Sequence, residues 1–461
     1  MLGRFKILAL VLSSSIVACG SDQLQVFSTQ SFSGFRGVTS GYDYAYTMAV
    51  SASGKQLYVG GASDGFSALK PDSLDAVVWT VGASTGKLDI PQPLFLKSGA
   101  EPNNEFDAVK NLVTSAVSED LFIAGTTESS IFFDPKPRSV QYAAFLARID
   151  PSGRTLWSRQ LNESVTRDVR VGDYTVQKIL TNVEGGEEYL YVLFSAHVND
   201  IKSKTSWIQK YNARTGAIVF TYTPWVDATR YTIFPECREH PLNIPTCDLS
   251  VQDFAVTSSG KLLLALLNPS GGLSVFAYQS SGLFDFSDNI SNNPLIKDAR
   301  ISISHSGANN VDQFNVLYGE DFPGTSVLEE FSIQPKNLNM ICHVNVANLT
   351  DVEGSDFREL SADNNGNVYI SGKIHNMLIV DWRNQYSPVL AKYRHCSKNW
   401  SQRLDMIKDT NVGTQSLALD SLGNVFLSGF APESDSIYGT PLGKNDFWVR
   451  KFDSVTGARI W

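Results

Sequence analysis

Charge is scarce in this chain. Of 461 residues only 18% are Asp, Glu, Lys or Arg, and 38 basic residues stand against 47 acidic ones. A net charge of −9 without basic clusters excludes the electrostatic footprint of a nucleic-acid binder, so no nucleic-acid partner is expected. The six histidines (His197, His240, His305, His343, His375 and His395) show no H-E-x-x-H or other paired spacing. Two G-x-S-x-G strings, GASDG (61–65) and GASTG (82–86), stand in turn text with no helical periodicity after them and so form no nucleophile elbow, and no P-loop or post-strand G-x-G-x-x-G occurs, so the commonest hydrolytic and nucleotide-binding chemistries find no support. Beyond the first residues, no apolar run approaches the roughly 20 residues that cross a bilayer. Disorder is excluded by the 43% hydrophobic content. The length exceeds that of one ordinary core and implies several domains or one large repeated architecture.

What is present begins with an export signal. Arg4 and Lys6 precede a short apolar stretch from Ile7 to Leu12, too short to span a membrane stably. Ile16-Val17-Ala18-Cys19 then resembles a bacterial lipobox. The resemblance implies removal of residues 1–18 and acylation of Cys19 by palmitate-type chains, which anchor without a spanning helix. Losing Arg4 and Lys6 leaves 36 basic against 47 acidic residues, a mature charge of −11. Gly20, rather than Asp, follows the cysteine, which by the same resemblance points to the outer membrane. Residues 19–23 are expected to be a lipidated tether.

The other cysteines, Cys237, Cys247, Cys342 and Cys396, are even in number, as expected of disulfides in an exported chain. Three pairings are open. Cys237 and Cys247 flank CREHPLNIPTC and form the expected local staple, with Cys342 and Cys396 as a second pair in outer-strand text of neighbouring units. A zinc site at Cys237, His240 and Cys247 lacks a fourth ligand, so no metal is expected, and no cofactor.

The main signal is self-similarity. Two apolar runs around a turn of Ser, Asp, Asn and Gly recur: YTMAVSASGKQLYVGG (46–61), NLVTSAVSEDLFIAG (111–125), KILTNVEGGEEYLYVLF (178–194), DFAVTSSGKLLLALL (253–267), RISISHSGANNVDQFNVLYG (300–319), RELSADNNGNVYISG (358–372) and SLALDSLGNVFLSG (416–429). Each is followed by a second strand pair, such as AAFLARIDPSGRTLW (143–157) or SWIQKYNARTGAIVF (206–220). Seven units of four strands predict an all-β fold, a seven-bladed β-propeller of four-stranded antiparallel blades over residues 24–461. The fifth unit matches most weakly. LALDSLGNVFLSG with NDFWVRKFDSVTGARIW, and ADNNGNVYISG with PVLAKYRHCSKNWSQRL, resemble the bacterial β-propeller repeat called SBBP. TGKLDI and TGARIW also resemble quinoprotein-type propellers and an outer-membrane assembly lipoprotein family, which have eight blades. The last unit ends in a short fourth strand at Trp461, and residues 24–30 resemble fourth-strand text (WSRQL, WSQRL), so residues 24–33 are expected to complete the last blade.

Asp363-Asn-Asn-Gly-Asn and Asp420-Ser-Leu-Gly-Asn read as turns rather than calcium loops, and Glu187-Glu188 and Glu329-Glu330 as solvated residues. Long inserts fall mainly in the connections between second and third strands and between units: 127–142, 196–205, 223–250, 373–387 and 430–445. Propeller geometry puts both kinds on one face. Their aromatics, Phe132, Phe133, Trp225, Tyr231, Phe234, Trp382, Tyr386 and Tyr438, are the binding residues expected from sequence. The reading is an outer-membrane lipoprotein whose propeller binds or scaffolds a protein or glycan. A propeller enzyme acting on glycans and an envelope-assembly factor stay open. Acids with a histidine around the channel would favour the enzyme.

Overall fold

The computed structural model describes residues 26–27, 43–63, 74–87, 94–96, 107–127, 143–161, 171–198, 203–224, 250–268, 272–306, 311–320, 326–346, 355–376, 385–404, 413–432 and 445–461. A short strand, β1 (Val26–Phe27), comes first. Blade 1 is β2 (Asp43–Val50), β3 (Gln56–Ser63), β4 (Asp75–Gly82) and β5 (Leu94–Leu96). Blade 2 is β6 (Asp107–Thr114), β7 (Leu121–Thr127), β8 (Ala143–Ile149) and β9 (Thr155–Leu161). Blade 3 is β10 (Val171–Glu184), β11 (Glu187–Val198), β12 (Ser203–Asn212) and β13 (Ile218–Tyr222). Blade 4 is β14 (Ser250–Val256), β15 (Leu262–Leu267), β16 (Leu273–Tyr278) and β17 (Phe284–Ser291). Blade 5 is β18 (Ile296–Ser306), β19 (Val311–Glu320), β20 (Ser326–Ile333) and β21 (Leu338–Asn345). Blade 6 is β22 (Ser355–Ala362), β23 (Asn367–Asn376), β24 (Gln385–Arg394) and β25 (Ser397–Arg403). Blade 7 is β26 (Gly413–Leu419), β27 (Val425–Pro432) and β28 (Asn445–Phe452), with β1 on its outer edge. The seven antiparallel sheets form a ring, each first strand packing against the next and β26 against β2. The fold is the seven-bladed β-propeller expected from the repeats.

Seven apolar clusters hold the ring, one per seam. Between blades 3 and 4, Leu193, Ile208 and Tyr222 meet Phe254, Leu264 and Phe276. Between blades 7 and 1, Ala418, Phe426 and Val449 meet Val59, Trp79 and Val81. Middle strands are covered on both faces, so their text is almost continuously apolar; β15 (LLLALL) is buried in all but its last residue. Each fully buried Leu or Phe contributes about 1.5–3 kcal/mol. Outer strands are half solvated, as in β21, and alternate accordingly.

A polar layer repeats further out. The turn between third and fourth strands offers a carbonyl to the preceding blade. Arg148, Lys210, Lys392 and Lys451 on third strands donate to the carbonyls of Ala213, Ser280, Ser454 and Ala83. Trp157, Trp400 and Trp461 donate indole N–H groups to the same carbonyls of Ala213, Ser454 and Ala83. These turns are tight because Gly216 and Gly457 take positive φ (68° and 73°), and a Cβ there would press within 2.8 and 2.7 Å of Trp157 and Trp400. Blade 3 has no tryptophan at this place. Phe220 fills it against Gly282.

The outer edge of blade 7 is built from two distant pieces. Val26 pairs with Trp448 and Phe27 with Phe447, while Arg459 bridges Phe452, and Ile460 and Trp461 hydrogen-bond with Lys451.

Cys342 on β21 and Cys396, in the turn after β24, form a disulfide across the seam of blades 5 and 6, with Cα atoms 6.0 Å apart. Cys396 is therefore not in an outer strand as its text implied; it lies beside His395 in a turn where both have positive φ. The bond closes a loop with a sequence separation of 54. On the chain-entropy relation, converting both cysteines to serine should lower stability by about 4 kcal/mol. Scanning calorimetry of the double variant measures this; a midpoint unchanged within a degree would refute it.

Two further expectations are corrected. Glu188, Glu329 and Glu330 are buried (8%, 3% and 2% exposed), not solvated. Glu188 accepts from Ser115 Oγ and Ala116 N of blade 2, Glu329 pairs with His343, and Glu330 with His395. The insert 196–205 is largely strand, since β11 runs to Val198 and β12 starts at Ser203. Asp363 and Asp420 do act in turns: each carboxylate accepts backbone N–H groups two and four residues on, from Asn365 and Asn367, and from Leu422 and Asn424.

Candidate functional site: the mouth of the central channel

The first strands of all seven blades line a central channel of about 1010 Å³. An ordinary strand would present only alternate side chains to it. Here each first strand carries a β-bulge, an extra residue left out of the ladder, which swings one more side chain inward. The bulged residues are Tyr46, Lys110, Gln177, Gln252, Lys297, Arg358 and Gln415, and all seven line the channel. Every one has a long, hydrogen-bonding side chain.

Glycine on the second strand makes room for the bulge. Gly61, Gly125, Gly372 and Gly429 stand opposite the residue just before it: Ala45, Val109, Phe357 and Thr414. A Cβ on Gly61 would lie 1.6 Å from the Tyr44 carbonyl oxygen, and one on Gly125 1.9 Å from that of Ala108. This is why four of the repeated hairpins end in GG, AG or SG.

In blades 1, 2, 3, 4 and 7 the residue after the bulge ties its blade to the next. Thr47 Oγ1 accepts from Leu112 N (3.2 Å), and Ser416 Oγ from Met48 N (3.1 Å). Asn111 Nδ2 donates to the Val176 carbonyl at 3.1 Å. Lys178 Nζ donates to Asp253 Oδ1 (2.6 Å) and to the Phe254 carbonyl (2.9 Å). Asp253 Oδ2 accepts from Ile301 N at 2.8 Å. Blade 5 is the exception in register. Its bulge lies two residues early, at Lys297, and Arg300 takes the level that the bonding to Ile301 defines. Blades 3 to 6 thus place Lys178, Asp253, Arg300 and Glu359 around the channel in alternating charge.

Asp298 pairs with Arg300 at 2.5 Å. Burial opposes the Arg300 charge, but Asp298, Asp253 and Glu359 outweigh it, and its pKa is raised. Burial raises the Asp298 pKa, with Arg300 opposing. Glu359 touches channel solvent, but protein encloses it: burial pushes its carboxyl up to about 7, against the pull of Arg300. On the other side, Lys110 stands 3.2 Å from the Tyr46 ring centroid. Burial lowers the Lys110 pKa to about 8 and raises that of Tyr46 to about 12.

Each bulge sits in the first half of its strand, on the side of the connections between units. The ring therefore lies towards the face expected to bind. The channel's described lining includes Asp253, Asp298 and Glu359 but no histidine. Of the aromatics expected at the site, Phe132, Phe133, Trp225, Tyr231, Phe234, Trp382 and Tyr438 lie outside the described residues, as do Cys19, Cys237 and Cys247. Tyr386 is on β24, paired in register with His375. The ring residues were missed. The signal that could have found them is a long polar side chain at the head of each apolar first strand.

No family model matches the chain, and no curated protein matches it. Among solved structures it is similar to the Dos1 propeller (10% identity over 91% of this chain and 95% of that one, TM-score 0.44). It is similar to a prolyl endopeptidase (11%, 93% and 52%, 0.47) and to a Trypanosoma rangeli sialidase in complex with the inhibitor DANA (9%, 89% and 55%, 0.46). The chain spans about half the length of these last two. At these identities no activity transfers from them.

Proposed function

We propose that this is a lipid-anchored cell-envelope protein of the SBBP-propeller type, held at the outer membrane through Cys19, whose propeller binds a protein or glycan. The ligand enters on the face of the connections between units, at the channel mouth. One observation carries the binding reading: all seven bulges bring a polar side chain into the channel, six of them at one level. A fold needs no such convergence, since the apolar seams already hold the blades. The ring has hydrogen-bond donors, acceptors and cations, and no nucleophile paired with a base.

Two experiments test this. Cys19→Ala should move the protein from the membrane to the soluble fraction after a salt wash; retention in the membrane refutes the anchor. Photo-crosslinking of envelope components should fail in Gln252→Ala and Arg358→Ala and persist in Lys55→Ala and Ser152→Ala, which lie in turns of the opposite face. The reverse pattern refutes the binding face.

A second reading, a glycan-acting enzyme, has one observation in its favour. Glu359, near neutrality beside Asp253 and Asp298, has the protonation behaviour of a general acid. Turnover of a glycan that Glu359→Gln abolishes without loss of binding would establish it.

A further inference from the structure

The channel differs in charge from the chain around it. The protein as a whole carries −9. Among the described residues, five cations and three acids line the channel, a net of +2. The cations are Lys110, Lys178, Lys297, Arg300 and Arg358. Three of them (Lys110, Lys297 and Arg358) are the bulged residues nearest the mouth, where no bulged residue is acidic. The three acids, Asp253, Asp298 and Glu359, face Lys178 and Arg300, and Arg358 also acts on Asp298. A concave site with low-dielectric walls focuses such a potential on whatever enters.

We infer that the channel mouth binds an acidic saccharide, with Lys110, Lys297 and Arg358 recognising its carboxylates. The inference deepens the proposed binding function and rests on it. Three features select this ligand class. The cations sit on blades 2, 5 and 6, spread around the ring, so they match charges distributed along an extended molecule and not one small anion. The volume of about 1010 Å³ accommodates several sugar rings. Between the cations stand Gln177, Gln252 and Gln415, whose amides both donate and accept, as vicinal hydroxyls require.

Titration gives this site a direction in pH. Lys110 stands over the Tyr46 ring of β2, and its burial lowers its pKa to about 8. Glu359 faces Arg300 and Asp298 of β18, and beyond them Asp253 of β14 and Lys178 of β10. As pH rises, Glu359 gains negative charge near 7 and Lys110 loses positive charge near 8. Both changes reduce the net positive charge of the channel, so anion binding weakens from pH 6 to pH 9.

Isothermal titration of the full chain with trigalacturonate, at 50 mM and 500 mM NaCl, tests this. Its fully methyl-esterified form and short poly-L-glutamate serve as the two comparison probes. Trigalacturonate should bind at least tenfold more tightly than the ester at pH 6, and at least tenfold more tightly at pH 6 than at pH 9. High salt should weaken it severalfold. Lys297→Gln with Arg358→Gln should weaken it at least tenfold, with an unchanged melting curve. Glu359→Gln should flatten the pH profile near 7 and leave the fall near 8. Equal binding of acid and ester, or an unaffected double variant, overturns the assignment of the cations. Tighter binding of poly-L-glutamate makes the ligand an acidic peptide and overturns the saccharide. No binding of any probe overturns the ligand class, and the crosslinking comparison of the two faces then decides the binding reading separately.

Discussion

Asp253→Ala should destabilise the ring by about 3–5 kcal/mol, the usual cost of removing one partner from a buried ion pair. Asp253 is 3% exposed and satisfies two blades at once. One oxygen accepts from Lys178 Nζ of blade 3 and from Phe254 N of its own strand, and the other from Ile301 N of blade 5. Alanine leaves a buried backbone N–H without its acceptor, worth about 1–3 kcal/mol alone, and an ammonium without its counterion. Asp253→Asn should not rescue it. All three partners are donors, and the amide nitrogen must point at one side or the other. Urea denaturation measures the loss. A change below about 1 kcal/mol would mean that water replaces the carboxylate, and that the inner belt does not bind the blades together.

Gly125→Ala should cost about 3 kcal/mol, at the upper end for overpacking. The new Cβ would lie 1.9 Å from the Ala108 carbonyl oxygen and 2.7 Å from the Phe145 ring, so the backbone before the bulge has to move. The movement displaces Lys110 from the mouth, and acidic-saccharide binding should fall with stability. Gly185→Ala is the control. It has positive φ (60°) but open space around it, so only about 1 kcal/mol of backbone strain is expected, with binding intact. Gly125 has no positive φ, so equal losses at the two positions would show that the strand relaxes around the methyl and that the close approach is not costly.

The blades were readable because burial on both faces writes long apolar runs, and because tight turns write Asp, Asn and Gly between them. The GG, AG and SG endings marked the bulge without revealing it. A bulge is a property of pairing between two strands, and one strand's text carries no register. For the same reason the repeats were aligned from the residue at or after the bulge, which left most ring side chains outside the pattern. Blade 5 matched weakly because its bulge sits two residues early, at Lys297. Among the described residues three seams use a tryptophan, Trp157, Trp400 or Trp461, while Phe220 serves in blade 3, so no tryptophan recurs in every repeat. Burial of Glu188, Glu329 and Glu330 had no local cue, since each finds its partner elsewhere in the fold: in the turn after β6, on β21 and in the turn after β24.

The two-piece outer edge of blade 7 fixes an order of assembly. Most seams join residues close along the chain: Thr47 to Leu112 is a separation of 65. The last seam joins Met48 to Ser416 across 368 and Trp461 to Ala83 across 378. Loop closure over the longer span costs about 1.5 kcal/mol more, and contacts of high sequence separation form slowly. Six seams can therefore zip while the molecule is still an open arc. That arc exposes Val59 and Trp79 at one end and Phe426 and Val449 at the other, apolar faces that two different chains could join as readily as one. The closing seam is the last to form and the first to part. Conditions that open it should convert monomers into end-to-end multimers well before the blades themselves unfold.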